Sequence, residues 1–338
     1  MHKAAILPWL AKFQVFCTLS RNGTLSELYL ERDFRHCWNQ KIPFIPPHTM
    51  KCLPEFALVA LTGGMLATCQ TIPTEPRPVQ NARPVPHTDA KTLSPAEQKI
   101  AAIAAGSRIA RYDWVGEQGR CPIGYTKGMA LVYARLYCRL KQGDPLAVAL
   151  AKKAGPNTRD DALAEYAPDF ARLGMSNDRD GADTLRHLIG LMFHMGMLET
   201  SGRWWLGKDP NNTNQNPRGA EAGLFQASYD SLPFHPLLRP LFESYVRKPS
   251  GLVEVFSEGV RSGTSPDLGD GEIATFQRIS KACPSFSVEY VALGIRVQCR
   301  DWWPIKHHKT ELNPDADVML LEVQRAVDAM QACGEIDW

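Results

Sequence analysis

Between residues 95 and 199, apolar side chains return every three or four positions in five successive stretches: 95–112, 125–141, 145–154, 160–172 and 181–199. That spacing follows the 3.6-residue turn of a helix. No strand-like alternation lasts more than a few residues. Gly-Pro, Asn-Thr and Asn-Asp pairs separate the stretches. Ser94-Pro95-Ala96-Glu97 opens the first with a capping box and a proline at the first helical position. Further helices are predicted at 220–230, 237–247, 270–280, 286–297 and 315–333. The fold class is therefore mainly α, in a single helical domain spanning residues 94–338.

A chain of 338 residues with 44% hydrophobic and 22% charged side chains can bury a sizeable core. Its net charge of +2 provides no broad basic face, which argues against nucleic acid as a partner. No stretch reaches the ~20 apolar residues of a membrane-spanning helix.

Residues 50–69 read MKCLPEFALVALTGGMLATC. Met50-Lys51 form a short basic start, Phe56 to Leu66 an apolar stretch, and Leu66-Ala67-Thr68-Cys69 a cleavage site, as in a bacterial lipoprotein signal lipidated at Cys69. A buried core helix of about 12 residues is the alternative. With a signal at 50–69, residues 1–49 read as an upstream extension from a start codon called too early. Residues 70–93 carry prolines at 73, 76, 78, 84 and 86 and read as an extended tether. The expected location is the cell envelope, anchored to a membrane through Cys69.

Five cysteines fall in the helical domain: 121, 138, 283, 299 and 333. Export would oxidise most of them and leave one over. Sequence neighbours are poor partners: the helix between Cys121 and Cys138 spans roughly 20 Å, against a limit of ~7 Å for a bridge. The same holds for Cys283 with Cys299, so bridges between distant helices are expected. No Cys or His spacing resembles a zinc site, and no metal or organic cofactor is implied.

The last of the five stretches ends in a carboxylate. Leu185, Leu188, Met192, Met195 and Glu199 recur at threes and fours, which places Glu199 at the end of an apolar stripe. A carboxyl there is hard to ionise and its pKa rises, as a general acid working near neutral pH requires. A glutamate waving in solvent at a frayed helix end is the plain alternative. Twenty residues on, Gly223-Leu224-Phe225-Gln226 joins a small residue, two apolar anchors and an amide suited to sugar hydroxyls. Phe225 and Tyr229 offer flat faces to pyranose rings, and Tyr290 lies among small residues on a predicted helix.

The order Glu-x-Ser-Gly at 199–202, Ala-Gly-Leu-Phe-Gln at 222–226 and Glu-Tyr-x-Ala at 289–292 resembles the three motifs of the soluble lytic transglycosylase and goose-type lysozyme superfamily. The resemblance covers residues 185–298. It implies a lysozyme-like all-helical domain that cleaves the MurNAc-GlcNAc backbone of peptidoglycan. By position, Glu199 matches the family's essential acid. Thr200 stands where the adjacent serine is usual, with Ser201 one place later. Gly223, Leu224, Phe225 and Gln226 match the glycan-cleft segment, and Tyr290 matches the tyrosine that positions the catalytic carboxyl.

Hydrolysing glycosidases commonly use two carboxyl groups, and the candidates for a second here are Asp209 and Glu221. A lytic transglycosylase needs one. Its glutamate protonates the glycosidic oxygen and then takes the proton of the muramoyl C6 hydroxyl, which closes a 1,6-anhydro ring. Three functions follow, in order: a peptidoglycan lytic transglycosylase, a lysozyme- or chitosanase-type hydrolase on the same fold, and a non-catalytic glycan-binding or scaffolding lipoprotein. In the last, Trp204-Trp205 and Trp302-Trp303 would serve as stacking surfaces.

Overall fold

The first helix begins where its cap dictates. Ser94 Oγ accepts the Glu97 N–H at 3.2 Å and the Glu97 carboxylate accepts the Ser94 N–H at 3.0 Å, which closes the capping box that starts α1 at Pro95–Gly106. A computed structural model describes residues 92–115, 119–209 and 216–336. The upstream extension at 1–49, the signal at 50–69 with Cys69, and nearly all of the 70–93 tether lie outside the described residues. All described residues belong to one compact unit, Asn81–Trp338.

After α1, a two-strand ribbon pairs β1 (Asp113–Trp114) antiparallel with β2 (Gly119–Arg120), Asp113 facing Arg120. The helices that follow are α2 Ile123–Lys141, α3 Pro145–Leu150, α4 Ala162–Glu165, α5 Ala167–Arg172 and α6 Ala182–Thr200. Beyond the site loops come α7 Leu238–Arg247, α8 Val253–Phe256, α9 Gly271–Ala282, α10 Pro284–Val297, α11 Trp303–Lys306 and α12 Pro314–Met330. The domain is mainly helical, as its periodicity predicts.

Four predicted elements differ from those observed. The helix predicted at 95–112 ends at Gly106, where Ser107 is extended. The helix predicted at 160–172 is two pieces, because Pro168 sits in the first turn of α5 and has no N–H to continue the ladder from α4. The stretch at 145–154 stops at Leu150. Residues 220–230 are not a helix but a tight hairpin, in which Ala222 and Ala227 exchange backbone hydrogen bonds of 2.9 and 3.1 Å.

Helix α6 is the axis of the core. Its residues from Thr184 to Met197 are buried around the whole circumference, so the expected stripe is one side of an element that water does not reach. Packed on it and on each other are α2, α3, α10, α11 and α12. The Tyr125 hydroxyl on α2 reaches the α6 carbonyls of Met192 and Phe193 at 3.0 Å each. Across the core, Phe242, Phe276, Phe286 and Tyr290 form an aromatic cluster with centroid separations of 5.1 to 6.1 Å. Such offset and edge-on pairs stabilise beyond the area they bury.

One disulfide joins Cys138, on the last turns of α2, to Cys333 in the turn after α12, across a sequence separation of 195. This is a bridge between distant elements, as expected. The oxidation of the remaining cysteines is not observed: Cys121, Cys283 and Cys299 are buried, separate thiols. Cys283 and Cys299 flank the 14 residues of α10, about 20 Å of helix. Cys121 instead accepts the Trp114 indole N–H at 3.0 Å. Burial pushes all three thiols up to about 12, which leaves them unreactive at neutral pH.

Candidate active site

The end of α6 is held by left-handed residues and by one hydroxyl. Ser201 (φ 54°) and Gly202 (φ 75°) turn the chain, and their N–H groups return to the carbonyls of Met197 and Gly196 at 2.9 and 3.4 Å. Thr200 is 1% exposed, with Oγ1 2.9 Å from the Leu224 carbonyl oxygen and 3.2 Å from that of Gly196. That hydroxyl ties the last turn of the helix to the hairpin at 222–227. It is committed to the fold. Ser201 takes the capping position and is half-buried.

The hairpin is built around Gly223. Its φ of 77° lies in the left-handed region, and a Cβ there would sit 2.3 Å from the Ser280 carbonyl oxygen and 2.8 Å from Ser287 Oγ. Only glycine fits. Gln226, itself at φ 50°, donates from its backbone N–H and from Nε2 to the Gly223 oxygen at 3.2 and 3.0 Å. Leu224 and Phe225 are fully buried. The Phe225 ring packs on α6, where a Cβ on Gly196 would meet it at 3.0 Å. Both side chains are thus core anchors that lock the hairpin to α6 and have no face to offer a sugar.

This clamp brings two carboxyl groups together. Glu199 is half-buried on the final turn of α6, and Glu221 immediately precedes the hairpin. Burial, and after it the nearby Glu221 charge, raise the Glu199 pKa from 4.5 to about 8. Asp209, the other candidate, is exposed.

Glu221 and Gln226 open onto a cavity of about 400 Å³. Its near wall continues through Ala227, Ser228 and Ser231. Its far wall is the segment from Arg300 to Lys306, including Trp302 and Trp303. Trp303 is 57% exposed, an unusual state for an indole and one suited to stacking on a flat ligand. Trp302 is packed against Gly294 of α10. By contrast, Trp204 is packed on the core and Trp205 donates to the Arg261 carbonyl at 2.9 Å.

The two predicted tyrosines sit elsewhere than expected. The Tyr229 hydroxyl hydrogen-bonds to Glu272, and its ring lies 4.8 Å beneath the Arg218 guanidinium, so it is spent on a salt-linked cluster. The Tyr290 hydroxyl, fully buried, pairs with Ser231 Oγ at 2.8 Å and not with a carboxyl. Because Ser231 lines the cavity, Tyr290 supports the wall from behind. Arg300 and Ser231, which also line the cavity, were missed in the sequence, whereas Trp303 was named there as a stacking surface.

Comparison with protein-family models, with curated proteins and with solved structures finds no match for this chain.

Proposed function

We propose that the protein cleaves glycans by acid catalysis from Glu199, as a peptidoglycan lytic transglycosylase with a lysozyme-like helical fold. The observation that carries this reading is the pairing of a carboxyl pushed up to about 8 with a second carboxylate on the lip of an aromatic-walled cavity. At neutral pH Glu199 holds its proton and can deliver it to a glycosidic oxygen. As the bond breaks, the new carboxylate takes the proton of the muramoyl C6 hydroxyl, and that oxygen closes on C1 to give the 1,6-anhydro end. The negative charge of Glu221 stabilises the positive charge that develops on the sugar ring. Gln226 and the Trp303 face would hold hydroxyl groups and ring faces. Anchored through a lipid on Cys69, the domain would work on peptidoglycan strands in the cell envelope.

The proximity of Glu221 favours a second reading, hydrolysis, in which its carboxylate activates water and Glu199 remains the acid. Mass analysis of fragments released from purified sacculi separates the two. Anhydro ends, lighter by one water, mean transglycosylation, and reducing ends mean hydrolysis. Glu199→Gln is expected to release no fragments under either reading. Clearing of sacculi by that variant would end both.

A further inference from the structure

A second cavity of about 270 Å³ opens among α2, α7 and α10 and shares no lining residue with the one beside Glu221. Arg135 and Arg139 reach it one turn apart on α2, Tyr245 from α7, Glu289 from α10 and Lys248 from the chain just after α7. The carboxylates that line it are already engaged. Glu289 Oε2 is 2.8 Å from Arg139 Nη1, and Oε1 accepts the Tyr245 hydroxyl at 3.2 Å. Asp144 Oδ1 accepts both Arg139 Nη2 and the Ala147 N–H at 3.0 Å.

Arg135 differs from its neighbour. Its side chain is 3% exposed, its ion pair with Glu97 is long at 3.5 Å, and its Nε is buried with no partner. A guanidinium offers five donors in a planar fork that matches carboxylate and phosphate oxygens. Leaving part of that fork unsatisfied in a buried position is unfavourable, and a bound oxyanion would satisfy it. The volume is near the lower end of small-molecule pockets.

We propose that this cavity binds a small oxyanion, a carboxylate or phosphate group, seated on Arg135 with Lys248 at the rim. The site is independent of glycan cleavage. Titration calorimetry of the full chain with sodium acetate and with sodium phosphate, against sodium chloride at matched ionic strength, tests it. Saturable heat is expected with acetate, phosphate or both and not with chloride, and the salt that binds tells which group the site takes. Arg135→Lys keeps the charge and loses the fork, and it is expected to weaken binding about tenfold. Lys248→Gln, on an exposed residue, is expected to weaken it about threefold. Circular dichroism establishes that each variant is folded. No saturable heat with either salt overturns the proposal, as does unchanged affinity in folded Arg135→Lys. Should that variant not fold, unchanged affinity in Lys248→Gln overturns it.

Discussion

Glu199 is the residue where environment and chemistry meet. Its folded pKa of about 8 lies above the ordinary 4.5, so the folded chain holds the proton more tightly than the unfolded chain does. Below pH 4.5 both states are protonated and the side chain is neutral to stability. Between 4.5 and 8 the unfolded chain ionises first, so stability falls as pH rises, and the loss is complete above 8. Glu199→Gln is therefore expected to melt with the wild type at pH 4 and above it at pH 9, as thermal unfolding would report. Glu221→Gln removes the neighbouring charge, so the alkaline limb of glycan cleavage is expected to move to lower pH, visible in a pH–rate profile. The position of Glu199 was legible in the sequence because helical spacing alone puts it at the end of an apolar run. The proximity of Glu221 was not, since it depends on the hairpin contact between Thr200 and Leu224.

Among the elements, the hairpin at 222–227 decides the geometry of the site and was the least legible part. Ala-Glu-Ala-Gly-Leu-Phe-Gln has good helix formers, and local propensity favours a helix there. Tertiary contact overrides it: Gly223 must sit against the Ser280 carbonyl, and Phe225 must fill the space left by Gly196. Gly223→Ala meets both the left-handed φ and the 2.3 Å approach. A loss of about 3 kcal/mol is expected, equivalent to a fall in melting temperature of about 10 °C for a domain of this size. Cleavage activity is expected to fall with it as Glu221 and Gln226 move. The long helices were readable because their patterns are local. The break between α4 and α5 was readable in principle from Pro168, which has no N–H to continue a ladder.

Over the whole molecule, the C-terminal region closes the structure. Segment 300–306 forms the far wall of the cavity, α12 packs on α1, α2 and α6, and Cys333 is bridged to Cys138. None of this shows in a local pattern, because each contact joins residues far apart in sequence. A bridge closing so long a loop contributes about 5 kcal/mol by restricting the unfolded chain. Replacing Cys138 and Cys333 together by alanine is expected to lower the melting temperature by about 10 °C, with calorimetry as the readout. The other three cysteines are expected to resist thiol reagents until the chain unfolds. The fold converges on one property, a carboxyl kept protonated by burial and by the charge of a neighbouring carboxylate that lines the cavity. Titration of the Glu199 side-chain carbon by NMR measures it directly. A midpoint of about 8 is expected in the wild type, and a lower one in Glu221→Gln. A wild-type midpoint near 4.5, unmoved by Glu221→Gln, would contradict it.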